Sequence, residues 1–206
     1  MANLRDNLTR RDFLHGACAA GAAALAGGAA GGPARAADAA AGGLTPTRVL
    51  GKTGLKIPIL GVGGEFDTVR NQVLLKQAHQ LGVRFWDTAQ EYVDSEKGYG
   101  EFFAKNPALR KDIVLSTKTL KRDPEGMTRE LNASLAALKT DHVDLYFVHR
   151  LQNPNELGDW GDQWKQWAET TKKAGKIRFF GVSFHDNVME NMLAVSQFAW
   201  MDVAMF

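Results

Sequence analysis

The chain has 206 residues, 45% hydrophobic and 23% charged, a balance that argues for a packed globular body and against wholesale disorder. Its formal net charge of +2 belongs to the first 36 residues, where Arg5, Arg10, Arg11 and Arg35 meet only Asp6 and Asp12; the remainder holds 21 basic and 21 acidic residues and no basic stripe for nucleic acid. The single cysteine, Cys18, lies in the same opening stretch, so the body can form no internal disulfide and no cysteine-ligated metal centre, and no metal site is expected.

Residues 1–36 read as an export signal. A basic head precedes residues 16–32, which are almost all Ala and Gly, and Ala34-Arg35-Ala36 supplies small residues at the spacing a signal peptidase reads. Thr9-Arg10-Arg11-Asp12-Phe13-Leu14-His15 resembles the twin-arginine motif, which implies export in the folded state and a periplasmic or secreted location. The partner implied is the twin-arginine export machinery. No stable membrane anchor is expected: His15 stands where a lipid-attachment motif at Cys18 wants Leu, and no later stretch is long and apolar enough to span a bilayer. Residues 37–47, rich in Ala, Gly, Thr and Pro, read as a linker.

From residue 48 the pattern alternates. Arg48 to Ile57 gives two short extended arms around Lys52-Thr53-Gly54, a hairpin signal. A first buried strand is expected over Ile59–Val62, and Val73, Leu74, Ala78 and Leu81 then recur at helical spacing. Val83–Ala89 reads as a strand, Phe102 and Phe103 as part of a short helix closed by Pro107, and Ile113–Lys118 as a strand. Asp123-Pro-Glu-Gly is a helix start, and Met127, Leu131, Leu135 and Leu138 line one face of that helix. Val143–His149 is a strand, followed by a helix with a Trp160, Trp164 and Trp167 stripe read as packing. Ile177–Ser183 is a strand, Val188–Val195 a helix, and Asp202–Phe206 opens another strand.

Strands alternating with helices imply parallel βαβ units, and near-continuous apolar strands fit a sheet covered on both faces. Gly61-Val62-Gly63-Gly64 lacks the third glycine of a dinucleotide-binding fingerprint, which disfavours a Rossmann sheet. The fold class expected is therefore α/β, a (β/α)8 TIM barrel of which strands 1–6 are present. A whole barrel takes about 250 residues, so the chain is expected to stop short of strands seven and eight. Those strands carry the phosphate-binding loops, so this stretch alone is expected to bind a nucleotide negligibly.

Barrels of this kind keep their chemistry at the carboxyl ends of strands. Asp87, Lys118, His149 and Ser183 end four strands in succession, and Tyr92 lies on the loop five residues beyond Asp87. A lysine near a phenol lowers its pKa from about 10, an aspartate keeps the lysine charged, and a histidine opposite can donate to a substrate oxygen. Such a set could protonate a carbonyl oxygen while a nicotinamide or flavin delivers hydride. Taken singly the residues have plainer readings. Asp87 could cap a helix, Lys118 could be a surface or Schiff-base lysine, and His149 could be a buried structural histidine. His79 and His142 are expected to be solvated, and His185 fits a cofactor rim or a loop equally.

At these residues the sequence resembles the aldo-keto reductases. Phe85-Trp-Asp-Thr-Ala-Gln-Glu-Tyr92 is similar to their Asp-Thr-Ala…Tyr segment, the run from Ser134 to His149 to their most recognisable stretch, and Gly181-Val-Ser183 to their fifth-strand signature. The resemblance covers residues 48–206. It implies an NADPH-dependent oxidoreductase acting on a small-molecule carbonyl substrate, with a catalytic tetrad of Asp87, Tyr92, Lys118 and His149. Tyr92 would be the general acid, tuned by Lys118 and Asp87. His149 would orient the carbonyl, and Asp87 and Ser183 would touch the nicotinamide end of NADPH. The family often has Asn after the serine, where this chain has Phe184-His185-Asp186. The competing readings are a reductase-like barrel that holds cofactor as a binding or regulatory module, and an inactive fragment.

The leader supplies a first test. Replacing Arg10 and Arg11 together by lysine is expected to trap the protein, uncleaved, in the cytoplasm, as read by fractionation; a cleaved double variant in the periplasm contradicts the twin-arginine reading.

Overall fold

A computed structural model describes residues 45–206. The expected signal at 1–36 and nearly all of the linker at 37–47 lie outside the described residues. The body opens with an antiparallel hairpin, β1 (Thr47–Val49) and β2 (Lys56–Pro58), joined through a 3-10 turn over Gly51–Thr53. Six parallel strands follow, side by side in chain order: β3 (Gly61–Gly63), β4 (Phe85–Asp87), β5 (Val114–Thr119), β6 (Val143–Val148), β7 (Ile177–Ser183) and β8 (Val203–Met205). Between them run α1 (Gln72–Gln80), α2 (Ser95–Lys105) with the single-turn α3 (Pro107–Arg110), α4 (Pro124–Leu138), α5 (Asn155–Lys173) and α6 (Val188–Val195). This is the strand-and-helix order of a (β/α)8 barrel, with six of its strands among the described residues.

The register sorts every strand residue onto one of two faces, because successive side chains of a strand alternate. Phe85 pairs with Val114, Asp87 with Ser116, Lys118 with Phe147, Leu145 with Phe179, and Ser183 with Met205. That inner face is apolar toward the strand starts, where Leu50, Leu55 and Ile57 of the hairpin region pack on Phe85, Val114, Leu145, Phe147 and Phe179. It turns polar at the carboxyl ends. Gly181 sits on it where β7 and β8 crowd together, and a Cβ there would lie 2.0 Å from the Val203 carbonyl oxygen.

The opposite face carries the larger core. Trp86, Leu115, Tyr146, Val148, Phe180 and Val182 meet Tyr99, Phe102 and Phe103 from α2 and Met127, Leu131, Leu135 and Leu138 from α4. Asp123 caps α4 through its side chain, which accepts the Gly126 N–H at 2.7 Å. The tryptophans of α5 pack as expected: Trp164 and Trp167 are buried, and their indole N–H groups donate to the Arg122 carbonyl (2.7 Å) and the Thr128 hydroxyl (2.8 Å).

Three expectations are corrected, among them that His79 is solvated, for it is buried. The first buried strand begins at Gly61, and Ile59 and Leu60 are each 59% exposed. They lie in the connection from the hairpin to β3, an edge strand that pairs only with β4 among the described residues. Helix α1 turns a different stripe inward: Val73, Leu74 and Leu81 are exposed, while Leu75 and His79 are buried and Ala78 packs beside them. Spacing alone did not fix which of two adjacent stripes met the core. Burial, followed by the Arg84 charge, holds the His79 imidazole below its usual pKa.

One acid sits deep in the outer layer. Glu96 on α2 is buried and accepts a 2.6 Å hydrogen bond from the Thr117 hydroxyl. Burial raises its pKa and outweighs that hydrogen bond, with Glu130 adding to the rise. A carboxyl raised in the folded state contributes its full stability below its unfolded pKa and loses it as pH climbs through the folded one. Glu96→Gln is therefore expected to raise the melting temperature by a few degrees at pH 8 and to change it little at pH 4, as read by thermal unfolding of the intact protein.

Candidate active site

Lys118 is the centre of the polar end. Its position on the inner face of β5 brings its side chain, 2% exposed, against the Asp87 carboxylate (Nζ to Oδ2, 2.6 Å) and the Thr88 carbonyl (2.8 Å). The other Asp87 oxygen accepts the Ser116 hydroxyl at 2.5 Å. Burial lowers the Lys118 pKa, and Asp87, through charge and hydrogen bond, opposes it.

The segment after β4 stays zipped to β5, since Thr88 N–H donates to the Ser116 carbonyl (3.0 Å) and Gln90 N–H to the Lys118 carbonyl (3.1 Å). A turn then closes from Tyr92 N–H to the Ala89 carbonyl at 3.0 Å. This lays the Tyr92 ring across the Lys118 ammonium, 4.9 Å from its centroid. The His149 ring meets Tyr92 edge-on, with centroids 5.8 Å apart. All four tetrad positions thus converge. The expected lowering of the phenol pKa is not found: burial first, then the Asp87, Glu65 and Glu91 carboxylates, raise the Tyr92 pKa above its ordinary value of 10.0, against a smaller effect of Arg150. Lys118 faces the ring, and its charge is spent on Asp87.

His149 follows β6, and its N–H extends the ladder to the Thr119 carbonyl at 2.8 Å. Burial, then the Lys118 and Arg150 charges, the His185 ring and Arg122, hold the imidazole down to about 3. The Glu91 carboxylate in contact with it, 3.0 Å from Nδ1, is itself ion-paired with Arg150 at 3.0 Å.

Ser183 is buried at the end of β7, where its hydroxyl accepts the Arg150 N–H at 3.4 Å and its carbonyl the Leu151 N–H at 2.8 Å. His185 lies beside the site, its ring 6.4 Å from that of His149. His142 stays at the surface against Asp141.

Sequence reasoning passed over Glu91, Arg150 and Arg122. Glu91 and Arg150 each adjoin a tetrad residue in sequence, which was the available signal. Arg122 comes from the loop before α4, and its guanidinium donates to the carbonyls of His149 and Arg150 at 3.0 Å each and pairs with Glu156 at 2.6 Å. A cleft of about 650 Å³ opens over Tyr92, lined by Gly64, Glu65, Phe66, Asp67, Arg70, Glu91, Val93, Asp94 and Arg150. Among the described residues no three His, Cys, Asp or Glu side chains gather as a metal site, and no helix is long and apolar enough to cross a membrane.

Residues 56–205 match the model of the aldo/keto reductase family. The chain is 31% identical over 160 residues to the NADP(+) aldo-keto reductase yakc of Schizosaccharomyces pombe, covering 67% of this chain and 45% of that protein. It is 30% identical over 146 residues to an aldo-keto reductase of Mycolicibacterium vanbaalenii, covering 69% and 51%. The chain thus spans about half the length of these curated relatives. Among solved structures it is similar to an aldo/keto reductase from Brucella melitensis (TM-score 0.62, 26% identity, 78% of this chain and 62% of that one). A holo-form aldo-keto reductase from Bacillus halodurans superposes with the same TM-score of 0.62 at 26% identity, over 72% of this chain and 54% of that one.

The electrostatics of the site make one direct prediction. In nuclear magnetic resonance spectra of the intact protein, His149 is expected to show no titration between about pH 8 and pH 5, where an ordinary histidine gains its charge. The linked effect on stability has a definite sign. With the folded pKa depressed, the unfolded chain takes up the proton first, so this site loses stability as pH falls below the unfolded value. A midpoint for His149 near 6.5 contradicts the burial argument.

Proposed function

Because the chain belongs to the aldo/keto reductase family, we propose that the intact protein is an oxidoreductase that moves hydride between NADPH and a carbonyl or alcohol substrate, with Tyr92 as proton donor. The observation that carries this reading is the convergence of Tyr92, Lys118, Asp87 and His149 at one set of strand ends.

The residues present fit a nicotinamide. Gly63 pairs with Asp87, and nothing lies within 4 Å of where a Cβ on it would point, so the inner face beside Asp87 keeps open room. Asp87 and Ser183 would hold the carboxamide end there, and the bound dihydronicotinamide supplies the hydride. The name of the Schizosaccharomyces pombe relative supports NADP as the form used.

The protein's own contribution is proton management and placement. Lys118 and Asp87 form a buried ion pair that fixes the floor of the site. The Tyr92 phenol, with its pKa raised, stays protonated across neutral pH. An alkoxide is far more basic than a phenolate, so as negative charge builds on the substrate oxygen the Tyr92 proton transfers downhill to it. His149 and the cleft walls orient the substrate. The same proposal includes export by the twin-arginine machinery to the periplasm or beyond. Its support is the Arg10-Arg11 pair and the Ala/Gly run behind it.

Tyr92→Phe removes the proton donor and little volume. Aldehyde reduction by the intact protein is expected to fall by about 10²- to 10⁴-fold, the usual contribution of a general acid, while NADPH still binds. A second expectation follows from the raised phenol: the acid form is lost only as pH climbs through a pKa above about 10, so wild-type reduction should stay flat across neutral pH. An unchanged rate of the chemical step in Tyr92→Phe contradicts the assignment.

A further inference from the structure

After β6, from His149 to Gln152, every backbone N–H and carbonyl has a partner. The His149 N–H donates to the Thr119 carbonyl and the Leu151 N–H to the Ser183 carbonyl, each at 2.8 Å. The Arg150 N–H reaches the Ser183 hydroxyl at 3.4 Å. Asn187 and Asn191 donate to the Gln152 and Leu151 carbonyls at 3.0 and 3.4 Å. The remaining groups are all met by one ion pair. Arg122 donates through Nη1 to the His149 carbonyl and through Nη2 to the Arg150 carbonyl, both at 3.0 Å. Its Nε pairs with one Glu156 oxygen at 2.6 Å, and the other Glu156 oxygen accepts the Gln152 N–H at 2.6 Å. Both side chains are mostly buried, 19% and 17% exposed. The bend they hold is strained: Arg150 takes the left-handed conformation (φ 57°), which L side chains seldom adopt, which persists only where the surroundings over-determine it, and which clusters at functional sites.

We propose that Arg122 and Glu156 are a pair of positioning residues, which hold the Arg150 bend and thereby fix where the His149 ring stands against Tyr92. Neither lines the cleft over Tyr92, so they act on it through the loop. The guanidinium suits the task by its shape. A planar fork with fixed donor directions meets two successive carbonyls, where an ammonium is a point charge on a flexible stem. Glu156 keeps the fork from turning and takes the next N–H along the chain. Released, Arg150 would relax toward negative φ, and the peptide joining it to His149 would rotate with it. The His149 backbone would then be held only at its N–H, and its ring, now 5.8 Å from that of Tyr92 between centroids, would shift. The Arg150 guanidinium, which meets Glu91 at 3.0 Å on the cleft wall, would move with the loop. A misplacement of about 1 Å that starts away from the chemistry costs about 10²-fold in rate. The catalytic consequence rests on the oxidoreductase reading; the hold on the loop does not.

The test compares the intact wild type with Arg122→Lys, which keeps the charge and loses the fork, and with Glu156→Gln, which keeps Arg122 and the volume of its partner. Amide hydrogen exchange reads the loop. The Arg150, Leu151 and Gln152 amides are expected to exchange about tenfold faster in either variant, the scale of one hydrogen bond, with the amides of β6 as slow as in the wild type. Should Arg122→Lys fail to fold, the β6 amides lose protection as well, and Glu156→Gln carries the comparison. A single turnover of NADPH with an aldehyde, under excess protein, then reads the chemistry. Its rate constant is expected to fall by about 10²-fold in Arg122→Lys, and in the same direction in Glu156→Gln, at undiminished amplitude. A pair that merely stabilised the fold would lower the amplitude and leave the rate constant alone. Loop amides as slow as in the wild type, or an unchanged rate constant with the loop freed, overturns the proposal. Failure of the oxidoreductase reading shows elsewhere, in an unchanged Tyr92→Phe, with the exchange of the loop amides unaffected.

Discussion

A buried ammonium sets the terms for this site. Lys118 lies inside the polar end of the sheet with its charge removed from water, and a lone ion in that position would cost several kcal/mol. Asp87 and the Thr88 carbonyl meet it at hydrogen-bond distance, and Ser116 satisfies the second Asp87 oxygen. These partners come from two neighbouring strands, so the ion pair exists only in the β4–β5 register that pairs Asp87 with Ser116. Slipping the strands by one residue would send Asp87 to the other face, into the layer of Trp86 and Leu115. The charge pair and the strand register therefore enforce each other.

Around that fixed point the rest of the polar end is arranged by short-range links. The loop bearing Tyr92 is tied to β5 by two backbone hydrogen bonds, and the loop after β6 by Arg122, Gln152 and Ser183. Arg122 is held by Glu156, and its carbonyl by Trp164 of α5, so the aromatic stripe of that helix reaches the site through one intermediary. The outer aromatic layer supplies the rigidity that such placement requires: Trp86 contacts Tyr99, Phe102 and Phe103 directly behind the strand that ends in Asp87.

Much of this was legible in the sequence. The bounds of β7 and α6 coincide with the apolar runs that signalled them, β6 ends one residue earlier than expected, and β5 is displaced by one residue at both ends. Two-residue periodicity and strand ends were enough to bring Asp87, Lys118, His149 and Ser183 together, because a parallel sheet turns sequence position directly into place. What stayed hidden depends on contacts between segments. His79 is buried because α1 presents Leu75 and Ala78 to the core, an orientation its short apolar pattern left ambiguous. The direction of the Tyr92 shift depends first on burial of the phenol and then on the Asp87, Glu65 and Glu91 carboxylates, which come from separate segments. Glu91, Arg150 and Arg122 look like ordinary surface charges until the loops that bear them are folded over His149.

The chemistry proposed for these strand ends is hydride transfer to and from a carbonyl carbon. Its most direct test is mass spectrometry of the product formed when intact protein is incubated with an aldehyde and NADPH deuterated at the transferable position of nicotinamide C4. The expected product is an alcohol with one deuterium bound to its carbinol carbon, at a yield that tracks cofactor consumed; an alcohol whose new carbon-bound hydrogen comes from water, or cofactor left unconsumed with every aldehyde offered, overturns hydride transfer at this site.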